Sequence, residues 1–288
     1  MRKARKKNVQ SVIEILNKCE EFFAKKGVPN PKIDAQLLLA KAMKCKRLDL
    51  FLRFDEPLKK EVLDEFREDV KRRAKREPLQ HILGSVEFCA LNLKCDARAL
   101  IPRPETEELC DLLISRLKNN PPKKILDLGT GSGAIILSLK KAFPNAECTA
   151  CDISEEPLSL AKENAELANL NVKFEVSDWF ENICGKFDLI VSNPPYLTEA
   201  EVLNAEAEVR QFDPPAALSS PDEGAEDLRN IIKESPEFLE KNGILALECG
   251  IAHPAMLKDE NRENKNFSNI EIIKDFSGRD RFLILTRA

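Results

Sequence analysis

The feature that most constrains this chain is a short apolar run leading into a three-glycine turn and then a helix. Lys124-Ile125-Leu126-Asp127-Leu128 reads as a buried strand; Gly129-Thr130-Gly131-Ser132-Gly133 follows, and helical spacing continues through Phe143. Glycines at such a turn let backbone approach a ligand closely, at the N-terminus of the next helix. A second strand, 147–151, ends in Asp152, 19 residues past Gly133. Strand, turn, helix, strand at this spacing predicts a parallel α/β sheet, with ligands at the strands' carboxyl ends.

The turn lacks the G-x-x-G spacing of a dinucleotide fingerprint, and no Lys-Ser or Lys-Thr follows it as a P-loop requires. Asp152 is placed to accept two ribose hydroxyls. Its alternative role is to cap the helix beginning near Glu155, although Ser154 can do that. A third strand, 172–176, leads to Ser177-Asp178-Trp179, and the chain's only tryptophan there can cover an adenine or simply pack in the core. A ribose acceptor without a phosphate site points to a nucleoside that carries no phosphate, and S-adenosylmethionine fits best.

A fourth strand, 187–191, runs into Ser192-Asn193-Pro194-Pro195-Tyr196, which holds the only tyrosine. Two adjacent prolines fix φ and remove two N–H donors, leaving a stiff loop rich in acceptors. Asn193 and backbone carbonyls in such a loop suit a planar NH2 group, with Tyr196 against its face. Past it, 199–209 reads as an acidic helix, Asp213-Pro214-Pro215 breaks the chain, and a helix runs over 225–240. This insertion is expected to wall the substrate pocket. Strands at 244–248, 270–276 and 282–285 close the sheet.

The N-terminal part differs. Apolar spacing predicts helices over 11–26, 34–44, 48–54 and 57–76, the first opened by a Ser11/Glu14 capping box and closed by Gly27. The expected division is a helical substrate-recognition domain over 1–78, a hairpin linker over 79–104 and a catalytic domain over 105–288. Residues 1–78 hold 22 Lys+Arg and 13 Asp+Glu, a net +9, and the remainder carries −13. That asymmetry suits an anionic partner for the first domain, through basic residues such as Lys71, Arg72 and Arg73, or two well-solvated surfaces. In the linker, Arg103 sits between Pro102 and Pro104, so Arg103 and Glu105 are held stiffly at a domain junction, where substrate can bind. Thr106 reads as the N-cap of the helix over 107–117.

Nine cysteines, scattered singly, read as buried reduced thiols of a cytoplasmic protein. Cys148 and Cys151 would fall on opposite faces of one strand, and with only His81 and His253 elsewhere no metal site is expected. No apolar run reaches the ~18 residues of a membrane span, and the basic start, residues 1–7, lacks the apolar stretch of a secretory signal.

Together, Asp127 to Gly133, Asp152 and Asn193-Pro194-Pro195-Tyr196 resemble class I S-adenosylmethionine-dependent methyltransferases, and the NPPY tetrapeptide resembles enzymes that methylate planar amino groups. Residues 76–84 (REPLQHILG), 101–107 (IPRPETE), Glu208-Val209-Arg210 and 277–281 (SGRDR) are similar to the release-factor glutamine methyltransferases, the HemK/PrmC family. The likeness runs from about residue 10 to the C-terminus; it departs at His81, where that family usually has an aromatic, and at Cys249, where it has an aliphatic.

The resemblance implies a seven-stranded, mostly parallel Rossmann-like sheet after an all-α domain. It implies that Asp127, Gly129, Thr130, Gly131, Ser132, Gly133, Asp152, Asp178, Trp179 and Asn193 hold the cofactor. Asn193, Pro194, Pro195 and Tyr196, with Arg103 and Glu105, would hold the substrate, the glutamine of a release factor's Gly-Gly-Gln motif. Catalysis would fall to Asn193, Pro194 and Tyr196. The alternative is an N6-adenine methyltransferase acting on DNA or RNA. Such an enzyme usually carries a basic stripe across its catalytic face, against the −13 here. Nothing in the sequence demands more than a monomer.

Overall fold

The structure, a computed structural model, describes residues 10–288, which divide into two compact units, the first ending at Gly84 and the second spanning Ser85–Ala288. In the first, helices Val12–Lys25, Pro31–Ala42 and Lys60–Ala74 and the 3-10 turn Arg47–Leu52 bury Phe23, Leu38, Leu39, Leu50 and Phe66 in one core. Ser11 and Glu14 form the expected capping box, and Gly27 turns left-handed just past the first helix. The second helix starts three residues earlier than the periodicity suggests, because Pro31 occupies its first turn, where its missing N–H costs nothing. The unit extends past Pro78: Leu79–Leu83 forms one more helical turn, Ile82 joins the same core, and Gly84 ends it. Arg73 is not a surface cation. It is buried and paired with Asp34 at 2.7 Å, while Arg72 and Lys71 pair with Glu77 and Glu68.

The second unit opens with a two-stranded hairpin, β1 (Ser85–Phe88) and β2 (Leu91–Lys94). The remaining strands are β3 (Lys124–Leu128), β4 (Glu147–Asp152), β5 (Lys173–Val176), β6 (Phe187–Ser192), β7 (Leu239–Glu248), β8 (Phe267–Lys274) and β9 (Asp280–Arg287). They form one seven-stranded sheet in the order β5-β4-β3-β6-β7-β9-β8, parallel except for β9, which runs antiparallel to both its neighbours.

Helices cover both faces. Pro104–Leu117, Ala134–Ala142 and Glu155–Leu167 pack one side, with Leu109, Leu113 and Ile136 buried against Ile125 and Val191. Glu226–Phe238 and His253–Glu260 pack the other, with Leu228, Ile231 and Leu257 against Leu126, Ile190 and Leu245. Cys148 lies in the first of these cores and Cys151 in the second, so the pair straddles the sheet. The chain leaves β3 toward β4 on one side and β5 toward β6 on the other, so a crevice opens at the carboxyl ends of β3 and β6.

Candidate active site

A cavity of about 850 Å³ occupies that crevice. Its floor is the glycine turn after β3. Gly129 adopts φ +66°, and a Cβ there would stand 3.5 Å from the Trp179 ring, so the absent side chain lets backbone and indole share one wall. Gly129, Thr130, Gly131 and Ser132 all line the cavity. Gly133 does not: it is the left-handed residue opening the helix Ala134–Ala142, where a Cβ would meet Ala161 at 3.1 Å. Asn164, buried on a neighbouring helix, donates to the Ser132 carbonyl at 2.9 Å and pins the turn from behind.

Asp127 also sits behind the turn rather than in the cavity. Its fully buried carboxylate accepts from the Thr130 hydroxyl at 2.6 Å, and burial pushes its pKa up to about 7. It therefore braces the loop from behind and is not among the residues lining the cavity.

Asp152 does reach the cavity. Its two oxygens accept from the Gly131 N–H at 3.0 Å and the Ser154 N–H at 3.2 Å. Ser154 caps the following helix, so Asp152 is spared that role. A carboxylate has about four lone-pair sites, which leaves two for a pair of hydroxyls. Trp179 is held from both ends: its Nε1 donates to Asp227 at 3.2 Å and its ring packs on the second core while facing Gly129. Trp179 thus both lines the cavity and packs on the second core. Asp178 lies exposed at the rim.

At the end of β6, Asn193 and Pro195 line the cavity, as does Thr106, while Pro194 and Tyr196 are not among its lining residues. Asn193 Nδ2 donates to the Thr106 hydroxyl at 3.2 Å, and Thr106 donates to Glu248 Oε2 at 2.8 Å. The other carboxylate oxygen, Oε1, accepts from the Tyr196 hydroxyl at 3.2 Å and from Arg281 Nη2 at 3.1 Å. Arg281 also donates to the Tyr196 hydroxyl, and its guanidinium carbon stands 4.7 Å from that ring's centre. The Tyr196 ring and hydroxyl thus both engage the Arg281–Glu248 ion pair. Burial and the Glu248 charge hold the phenol well above its ordinary pKa, so Tyr196 is no proton acceptor at neutral pH.

Thr106 is not the helix cap expected of it. The helix starts at Pro104 with Arg103 as its N-cap, which puts Thr106 inside the first turn, facing β7. Arg103 lines the cavity, but its guanidinium pairs at 2.7 Å with Asp213, whose side chain is buried in the wall after β6. Glu105 lies outside the cavity, accepting from Arg279 at 3.0 Å. The expected pocket wall is present: residues 211–217 line one side.

Glu248 was the residue sequence reasoning missed. Its signal is a carboxylate closing the otherwise apolar Ile244-Leu245-Ala246-Leu247, on the strand beside β6. A tight approach holds the loop from its far side: a Cβ on Gly224, φ +81°, would lie 2.2 Å from the Tyr196 carbonyl oxygen. Gly224→Ala is therefore expected to lower stability by roughly 2–4 kcal/mol, combining a strained backbone with a displaced carbonyl. Urea unfolding checks this; an unchanged midpoint would mean the carbonyl moves freely. Among the described residues no group of three or more His, Cys, Asp or Glu is placed to hold a metal, and no helix is long and apolar enough to cross a membrane.

Comparison with known proteins agrees with this architecture. Residues 14–84 match the family model of the PrmC N-terminal domain, and residues 105–211 match the methyltransferase small domain. A release factor glutamine methyltransferase from Deinococcus radiodurans is 40% identical over 275 residues, covering 96% of this chain and 98% of that protein. Its counterpart from Haemophilus influenzae is 39% identical, covering 91% and 93%. Among solved structures, the hMettl16 catalytic domain superposes with a TM-score of 0.55 at 19% identity, over 77% of this chain and 82% of that one. A methyltransferase from Pyrococcus furiosus gives 0.50 at 22%, over 68% and 88%. These two share the fold. The curated relatives span the whole architecture at substantial identity, and on that ground the chain belongs to the release factor glutamine methyltransferase family.

Proposed function

We propose that this protein transfers a methyl group from S-adenosylmethionine to the side-chain amide nitrogen, N5, of the glutamine in a release factor's Gly-Gly-Gln motif. The observation that carries the reading is Asn193 on the cavity wall at the end of β6, its amide tied through Nδ2 to Thr106. Family membership supplies the substrate class.

The residues present fit the cofactor. Gly129 to Ser132 give a backbone cradle without side-chain bulk, Asp152 keeps lone pairs for the ribose hydroxyls, and Trp179 and Asp178 flank the position of the base. When bound, S-adenosylmethionine supplies an electrophilic methyl carbon on a sulfonium. The protein's task is positioning, because the lone pair of a carboxamide nitrogen is delocalised into its carbonyl. Asn193 Oδ1 and the Pro194 carbonyl accept the two N–H groups of the glutamine amide, aim the nitrogen, and stabilise the positive charge that develops on it. Pro195 shapes the wall beside them. The methylated nitrogen is strongly acidic and gives its extra proton to water, so no strong base is required in contact with it.

Tyr196 and Arg281 hold the loop from behind, and Arg103 holds the wall containing Asp213. A nucleic-acid substrate is not favoured: residues 79–288 carry −13, whereas such enzymes present a basic stripe. One copy of the chain contains every proposed site residue, which supports a monomer, and its nine free thiols suit the cytoplasm, where release factors work.

The test is methyl transfer from tritiated cofactor to purified release factor, with duplex DNA in parallel. Label on the release factor alone is expected. Label on DNA alone would mean that the NPPY loop reads adenine.

A further inference from the structure

The side chains behind Asn193 form a directional chain. Arg281 has only donors, so toward the Tyr196 oxygen it must donate; the tyrosine's own hydrogen is left for Glu248 Oε1. Glu248 thus receives Tyr196 and Arg281 on Oε1 and Thr106 on Oε2. Three donors around one fully buried carboxylate, one of them cationic, suit the ionised form. The single hydrogen of Thr106 is committed at 2.8 Å to that carboxylate, and its oxygen then has only lone pairs to offer Asn193. Nδ2, at 3.2 Å, is the one end of the Asn193 amide that can bind it. Flipped, the amide would set oxygen against oxygen with no hydrogen between them. Oδ1 is therefore the end turned away from Thr106.

We propose that Thr106, its hydroxyl hydrogen held by Glu248, is a positioning residue that fixes Asn193 with its amide oxygen toward the substrate and so makes the site specific for an NH2 group. This rests on the reading of Asn193 as a substrate acceptor. Without the relay the two ends of the amide would be near-equivalent, and half of all encounters would present an NH2 to an NH2. Thr106 and Glu248, 142 positions apart in the chain, meet because the fold places the helix Pro104–Leu117 beside the end of β7. Glu248 does not line the cavity; Thr106 does, but its one hydrogen is spent on Glu248 and its oxygen faces Asn193 Nδ2, so the effect of the pair is expected to pass through Asn193.

The experiment compares wild type, Thr106→Val, Thr106→Ser and Asn193→Ala, together with the Thr106→Val/Asn193→Ala double variant, using purified release factor and tritiated S-adenosylmethionine. Valine keeps the shape and removes the hydroxyl. Thr106→Val is expected to lower kcat about 10–100-fold, the usual scale for a group that orients a reacting ligand, with KM for release factor and affinity for the cofactor little changed. Thr106→Ser is expected to restore most of that loss. In the Asn193→Ala background the valine should cost nothing further, because the residue it orients is gone.

Wild-type turnover in Thr106→Val, or an equal fold-loss in both backgrounds, would overturn the inference; the second result would mean that Thr106 acts on the fold and not on Asn193. Failure of the underlying reading looks different: wild type itself would leave release factor unlabelled.

Discussion

A release factor carrying Gly-Gly-Glu is expected to be methylated with kcat/KM about 10⁴–10⁵ below that of Gly-Gly-Gln, the range for a site built to hydrogen-bond a group its competitor lacks. Chemistry alone would not give this order. A carboxylate is a better nucleophile than a carboxamide, whose nitrogen lone pair is delocalised, so the rejection must come from the pocket. Asn193 Oδ1 and the Pro194 carbonyl would both face carboxylate oxygens with no hydrogen to share, and each buried acceptor left unpaired costs about 1–3 kcal/mol. The Asn193 amide cannot turn to offer its NH2 instead, because Thr106 accepts from that end. The measurement is steady-state transfer to both purified substrates. A ratio of only about tenfold, the worth of one methylene in an apolar pocket, would mean the site selects by shape and that Asn193 does not contact the amide.

The parts legible in the sequence are those set by local patterns. An apolar run entering three glycines could only be a buried strand meeting a helix at a ligand site, and β3, its turn and Asp152 stand in that arrangement. Adjacent prolines placed Asn193 on a rigid loop for the same reason. What the sequence hid depends on tertiary pairing. Thr106 carries a cap-forming side chain near a helix start, and local chemistry favours that use. Pro104 begins the helix three residues sooner and turns the hydroxyl inward instead. Tyr196 reads as a substrate-facing aromatic until β9 brings Arg281 to it, 85 residues on in the chain. Asp127 stands two residues before the glycines, and its carboxylate is spent on the Thr130 hydroxyl, a pairing that the sequence pattern alone does not show. The start of β7 was missed because Pro236 lies inside a helix whose apolar spacing runs on past it; the strand begins at Leu239, before the left-handed Asn242, rather than at Ile244.

Asn193→Ala is expected to lower kcat by about 10²–10³, the cost of losing one preorganised hydrogen-bond partner at a developing charge. The effect should fall on kcat more than on KM, since the acceptor is worth most when the amide nitrogen becomes cationic. Stability should change little. Asn193 is only half-buried, and without it Thr106 still donates to Glu248, so no buried hydrogen is orphaned. Asn193→Asp sharpens the test. It keeps acceptor oxygens toward the substrate, but the oxygen set against Thr106 meets lone pairs and has no donor, with the Glu248 carboxylate one hydrogen bond further on. If any acceptor at this position sufficed, the aspartate variant would recover most of the activity that alanine loses. If orientation through the Thr106 relay matters, aspartate should be impaired on a scale comparable to alanine. Single-turnover transfer to release factor at saturating cofactor separates these cases, and near-normal turnover in the alanine variant would remove Asn193 from the mechanism.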